Sequence, residues 1–441
     1  LEVNGRYDGS SKFAKDHRYA FFPSVSAAWR ISEENFWQPL KGWWNDMKIR
    51  GSYGSLGNQV MDDLGNFPYL ATYGTNSSYN YLINGSKPVI VKAPGLVAPD
   101  FTWETVTQMD FGFDASFLNN RLTGTFDWYR RNTKDMLVAG ATLPATLGAS
   151  VPKSNSADMK TIGWELSLGW NDRLENGFSY WVKGVLSDYQ ATITKYAGND
   201  AGFYSQSDGD GKYYVGQKIG EIWGYHSNGL FQSDDEAATI DQSELYAGKW
   251  GAGDVKYEDL DNDGKITKGE ETIYNPGDKS IIGNKTPRYQ FGITVGFDYK
   301  NFDFEMFWQG TGKRDYMLSG AQFWGFTSQW DVPYTPALDY WTETNTDAYF
   351  PRPGWQNGGN RVTSDRYLQS AAYGRLKNLT VGYTIPKNLT TKWGISRLRL
   401  YVTGENLLTI TPLNDAFDPE TLGGMTYPIN RKVAIGLNLT L

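Results

Sequence analysis

RKVAIGLNLTL, residues Arg431–Leu441, sets the reading frame for the whole chain. Val433, Ile435, Leu437, Leu439 and Leu441 alternate with Lys432, Ala434, Gly436, Asn438 and Thr440. Successive side chains of a strand point to opposite faces, so this segment has one apolar face and one polar or small face. A tilted strand crosses a bilayer in about ten residues, which is the length available here. A soluble sandwich strand alternates in the same way. Organisation along the chain must separate the two.

The same alternation recurs upstream. Val25, Ala27, Trp29 and Ile31 form one such face, as do Phe111, Phe113, Ala115 and Phe117. Trp164, Leu166, Leu168 and Trp170 form another, and Tyr289, Phe291, Ile293, Val295, Phe297 and Tyr299 the longest. Turn signals join many of these runs into hairpins: Asn119-Asn120, Asn176-Gly177, Lys300-Asn301 and Pro386. About twelve or thirteen strands are expected on this pattern. The remaining connections are long, near residues 57–106, 139–160, 196–287, 311–368 and 407–429. Long loops confined to one end have no reason in a sandwich, whereas an outer-membrane barrel has short turns on one side and long loops on the other. Charges keep to the polar faces, with Arg130 the exception, near a strand end where a long side chain can snorkel.

Composition fits. The 441 residues carry a formal net charge of -7 and are 15% aromatic, with 29 Tyr, 22 Phe and 17 Trp. Mean hydropathy is -0.52, and no run of about eighteen apolar residues exists to form a membrane helix. A β-barrel is untouched by that test, since only every second residue must be apolar. The absence of cysteine removes disulfides, thiolate nucleophiles and zinc–sulfur sites, and only His17 and His226 offer imidazoles. The acidic balance argues against nucleic acid as a partner.

Several stretches, in order, resemble the SusC/RagA family, the TonB-dependent outer-membrane nutrient transporters of Bacteroidota. They are RYDGSSKF (Arg6–Phe13), FPSVSAAWRIS (Phe22–Ser32), IRGSYGSLGNQ (Ile49–Gln59) and RLTGTFDWYRRNTKDML (Arg121–Leu137). GDVKYEDLDNDGKIT (Gly253–Thr267), RLKNLTVGYTIP (Arg375–Pro386), LRLYVTGENLLT (Leu398–Thr409) and DPE (Asp418–Glu420) follow. The resemblance implies an all-β fold, with residues 1–441 as the C-terminal portion of a 22-stranded plugged transmembrane antiparallel β-barrel with long extracellular loops. It further implies that signal peptide, N-terminal domain, TonB box, plug and earlier strands are not in this sequence. Leu1 begins inside a strand-like run, and an open barrel edge in lipid would be costly, which leads to the same expectation. By resemblance the protein imports oligosaccharides or oligopeptides across the Gram-negative outer membrane and is no enzyme. Its partners would be membrane lipid, a SusD-like lipoprotein and, through the absent N-terminal part, TonB–ExbB–ExbD.

One local motif stands apart. Asp259, Asp261, Asp263, Gly264 and Glu270 match positions 1, 3, 5, 6 and 12 of a twelve-residue calcium loop. Lys265 would add its backbone carbonyl and Thr267 its hydroxyl, directly or through water. Calcium is the expected ion, with a structural role in the longest loop. The alternative for these residues is a solvated acidic turn. Asp208-Gly209-Asp210-Gly211 reads as a shorter turn of the same kind. The loop Thr311–Arg366 is rich in aromatics, among them Phe323, Trp324, Trp330, Tyr334, Tyr340, Trp341, Tyr349 and Trp355, which could bind a ligand or a partner or form the loop's own small core. Asp331, Asp339 and Glu343 lie in the same loop, but their spacing singles out no hydrolytic pair. The competing whole-chain reading is a secreted, calcium-stabilised β-rich carbohydrate-binding or adhesive protein.

Overall fold

Twelve strands follow one another in a single antiparallel sheet, each paired with its sequence neighbours. They are β1 (Glu2–Gly9), β2 (Tyr19–Arg30), β3 (Trp44–Asn58), β4 (Glu104–Phe117), β5 (Leu122–Ala139) and β6 (Lys153–Arg173). Then come β7 (Ser179–Tyr196), β8 (Arg288–Tyr299), β9 (Phe302–Lys313), β10 (Tyr373–Thr384), β11 (Arg397–Ile410) and β12 (Lys432–Thr440). The computed structural model describes residues 1–59, 65–76, 82–83, 85–87, 89–98, 100–140, 143–149, 151–199, 202–203, 213–422 and 426–441. The Asp208–Gly211 turn expected above lies outside them.

Register carries the two-residue alternation from strand to strand. Val381 pairs with Val402, which pairs with Ile435, and on the neighbouring positions Thr380 pairs with Thr403 and Thr403 with Ala434. The apolar side of the closing strand is open to the surroundings: Ile435 is 83% and Leu437 60% exposed. The opposite side is charged. Arg50 on β3 gathers Asp127 on β5 (Nη2 to Oδ2, 2.7 Å) and Asp114 on β4 (Nε to Oδ2, 3.3 Å). Arg399 on β11 donates from Nε to Asp303 on β9 at 2.9 Å. A continuous apolar face that none of the buried clusters covers among the described residues belongs against lipid, and the charged face belongs around water or protein.

All the tight turns lie at one end. Leu118, Asn119 and Asn120 take φ of 54°, 57° and 61°, and Lys300 takes 54°. Asn is among the few non-glycine residues that tolerate this left-handed region. Two connections at this end are longer, 31–43 and 385–396, and both contain short helical turns. Aromatic contacts band this end, with Phe178 against Phe297 at 5.5 Å and Phe302 against Tyr383 at 4.7 Å. At the other end Tyr7 stacks on Tyr19 at 5.5 Å, and Trp128 pairs in register with Trp164. Aromatic side chains favour membrane boundaries because one end is apolar and the other polar.

The strands outrun their clean alternation. β6 spans 21 residues and starts at Lys153, so the loop expected at 139–160 narrows to 140–152. Irregularities between Thr133 and Met136 and between Asp158 and Met159 explain why periodicity fades toward the long loops. There, no lipid enforces an apolar face.

Candidate functional site

The long loops are not separate flaps. Residues from 197–287, 314–372 and 411–431 share one buried core. Phe323 and Tyr367 are fully buried in it, and Phe417 and Leu413 enter it from the connection before β12. The aromatics singled out in the second loop therefore divide. Phe323 and Trp324 are core, with Tyr340, Trp341 and Tyr349 packed around them. Trp330 (83%), Tyr334 and Trp355 stay exposed.

Ion pairs fix this core. Asp254 is fully buried and accepts from Arg352 Nε (2.9 Å) and Nη2 (2.6 Å), Asn360 Nδ2 (2.8 Å) and the Gly251 N–H (2.9 Å). Charge-assisted, fully saturated hydrogen bonding is what allows a carboxylate there. A second clamp ties the last loop to the charged face of the sheet. Buried Arg375 of β10 reaches Asp418 Oδ2 at 2.6 Å and the Thr409 hydroxyl at 2.9 Å, while Lys377 meets Glu420 at 3.2 Å. Neither network has a sequence signature, because partners lie 98 and 43 residues apart.

The acidic turn forms one edge of the assembly. Asp259 caps it: Oδ1 accepts from Asn262 N (2.7 Å) and Oδ2 from Gly264 N (2.7 Å). Gly264, at φ 83°, occupies the position a calcium loop gives to glycine. Ile266 is buried, and its N–H donates to Asp241 O at 2.7 Å, tying the turn to the core. The carboxylates of Asp259 and Asp261 converge with that of Asp278, each offering an oxygen within 4.8 Å of the others. Asp278 was not part of the set expected from spacing. It arrives because Gly269 and Gly277, at φ 57° and 60°, bring two backbone segments into direct contact, and a Cβ on either would collide with the other. Its own oxygens accept from Leu260 N (2.8 Å) and Thr267 N (2.7 Å). Asp263 and Glu270 do not join this group. Asp263 turns back to the Lys265 N–H at 2.8 Å, and the Glu270 N–H pairs with Asn275 O at 3.0 Å. The Thr267 carbonyl accepts from Asp278 N (3.2 Å).

Electrostatics distinguish the converging acids. Desolvation and the Asp263 charge push Asp261 above the usual carboxylate range. At Asp259 desolvation is outweighed by the N–H groups of Gly264, Asn262 and Asp263, and its carboxyl lies below that range. The set is all hard oxygen, as calcium or magnesium requires.

Two other features bear on chemistry. A cavity of about 520 Å³ lies inside the loop core, lined in part by Trp223, Tyr225, Trp324 and Arg361. Lys279 points along it, paired with Glu271 at 2.7 Å and set over the rings of Phe203 and Tyr225. Nearby, His226 links Asp365 (Nδ1 to Oδ2, 2.7 Å) and the Ser280 hydroxyl (Nε2 to Oγ, 2.7 Å), an order shared with hydrolytic triads. Acyl transfer also needs N–H donors aimed at the developing oxyanion. The neighbouring N–H groups of Tyr225, Ser227 and Glu258 are spent on Thr363 O, Asp365 Oδ1 and His226 O. The chain of bonds joins three loop segments. Of the acids considered for hydrolysis, Asp331 caps Thr327 and Ser328, and Asp339 holds Asn345 and Tyr349.

Comparison with known proteins agrees with the geometry. A family profile described as TonB dependent receptor-like, beta-barrel matches residues 1–407. TonB-dependent receptor P3 of Formosa agariphila is 31% identical over 98% of this chain and 43% of its own length. TonB-dependent receptor SusC of Bacteroides thetaiotaomicron is 28% identical over 98% of this chain and 41% of its own. The chain thus spans less than half the length of these curated relatives. Among solved structures, the RagAB peptide transporter superposes with a TM-score of 0.77 over 99% of this chain and 45% of that one, at 22% identity, a likeness of fold. The chain belongs to the TonB-dependent receptor β-barrel family, and its twelve strands are wall of an outer-membrane barrel.

Proposed function

We propose that this chain is the C-terminal portion of a plugged barrel that imports oligosaccharides or oligopeptides, driven by TonB and working with a SusD-like surface lipoprotein. The observation that carries this reading is the sheet with an apolar outer face and a charged inner face, three of whose long loops merge into one packed assembly at a single end. Such an assembly presents a rigid, aromatic-rich mouth to ligand and partner. The reading calls for no chemistry on the substrate. A secreted binding protein would have no use for the uncovered apolar face. A solved structure of similar fold is described as a peptide importer, and a relative of this chain is named TonB-dependent receptor SusC, both in keeping with a receptor that takes up solutes. The test is uptake: cells lacking the full-length gene should lose import of labelled glycan or peptide, and a copy lacking the TonB-contacting segment should not restore it. Normal uptake in the deletion strain would reject the reading.

We further propose that the acidic turn binds calcium, held by Asp259, Asp261 and Asp278 with the Lys265 carbonyl and Thr267 nearby. Convergence of three carboxylates is the supporting observation. Terbium luminescence of the full-length protein should vanish in Asp278→Asn and persist in Glu270→Gln. Loss only in the second variant would restore the twelve-residue pattern read from spacing. Luminescence undiminished in both would mean that the site lies elsewhere.

A further inference from the structure

Arg130, set aside in the sequence as the charge on the wrong face, does not stand alone. Beyond the Trp128–Trp164 pair, toward the long loops, the outer face of β5 continues with Arg130, Asn132 and Lys134, and that of β6 with Ile162 and Lys160. Arg130 pairs in register with Ile162 and Asn132 with Lys160. Arg130 and Lys160 are therefore diagonal neighbours, about 7–8 Å apart. Lys134 lies opposite Thr105, four residues beyond Arg130 on the same face.

The acids nearby are committed elsewhere. Asp188, in register with Trp164, is buried and bridged by Arg288 (Nη2 to Oδ2, 2.5 Å). Asp158 sits farther out, opposite Lys195, and accepts the Asp135 N–H at 2.9 Å. Arg130 itself donates Nε to Asn132 Oδ1 at 3.3 Å, which lays the guanidinium along the strand on the outer face. No carboxylate pairs with Arg130, Lys134 or Lys160 among the described residues. Three cations without a carboxylate partner among the described residues thus sit on the lipid-facing wall just past an aromatic boundary, at the height where lipid headgroups begin. An Arg fork and an ammonium at this spacing suit a phosphate held between them.

We propose that Arg130, Lys134 and Lys160 form a docking site for the phosphorylated headgroup of a lipid in the leaflet beside the long loops. The proposal depends on the wall facing lipid and not on what the barrel transports. It is tested on the full-length protein, purified in detergent, stripped of lipid and studied by native mass spectrometry. Phosphatidic acid is the probe, and phosphatidylcholine the net-neutral control. Wild type should retain phosphatidic acid preferentially. Each replacement, Arg130→Gln, Lys134→Gln or Lys160→Gln, should weaken retention roughly fivefold, in line with the attraction of one basic residue to an anionic surface. The double variant Arg131→Gln/Lys183→Gln, on the inner face of β5 and of the neighbouring β7, should leave retention unchanged. Inorganic phosphate in equal excess should not displace the lipid. Retention unaltered by the outer replacements, equal loss in the inner pair, or displacement by free phosphate would each overturn the proposal. Heat-modifiable migration on gels confirms that each variant is folded.

Discussion

The wall and the loop assembly of this molecule are stabilised by different means. In the wall, each residue's face follows from its parity, and the environment on each side is uniform: lipid outside, polar contents inside. In the loop assembly, burial follows from which distant segments meet, and contacts join residues up to 139 positions apart. The wall should therefore respond to what a substitution does to one face, and the loops to what it does to one cluster.

The largest effect expected from this contrast is in the loop core. Phe323→Ala removes a fully buried ring that touches Trp324, Phe350, Tyr367 and Phe417. It should destabilise the assembly by about 3–5 kcal/mol. Loops should then be cut by protease on intact cells while the wall keeps its heat-modifiable migration. Simultaneous loss of both would show that the two regions fold as one unit. Next comes a charge on the lipid face: Val402→Arg should cost about 2–4 kcal/mol and reduce the amount of assembled barrel, whereas Thr403→Arg, one residue on and facing inward, should be tolerated. Equal effects would dissolve the distinction between faces.

The link between the two regions gives a smaller signal. Arg375→Met removes the clamp on Asp418 and should cost about 1–3 kcal/mol, since Asp418 and Glu420 keep some access to water that screens their charge. Protease sensitivity should rise in 411–431 and not in 314–372. The smallest effect is at Ser280→Ala, which deletes one hydrogen bond to His226 and should change loop stability by about 1 kcal/mol. A larger loss, with ester hydrolysis by wild type that this variant lacks, would require a catalytic reading of these three residues.

Legibility in the sequence divides along the same line. The two-residue pattern from Val433 to Leu439 is enough to identify a strand, its faces and its neighbours' register, because the bilayer imposes one rule on every strand. Turns at Asn119-Asn120 and Lys300-Asn301 were legible because few residues accept left-handed backbone. The first residues of β6, 153–160, read as loop in the sequence, since bulges interrupt the alternation there. In the acidic turn, Asp259, Asp261 and Gly264 could be read from spacing. Asp278 could not, because two glycines bring it back from outside the twelve-residue window. Phe323 and Trp330 are both aromatic residues of one loop, and nothing local separates the buried one from the exposed one.

The most direct test of the account is the placement of its two ends across the membrane. This chain contains no cysteine, so single replacements report cleanly on its own segments. Tyr274→Cys lies in the longest loop, and Glu175→Cys in a tight turn; both positions are exposed. A membrane-impermeant maleimide applied to intact cells should label Tyr274→Cys and reach Glu175→Cys only after the outer membrane is opened. Labelling of both in intact cells, or of the turn alone, would contradict a wall that spans the outer membrane with its loops outside.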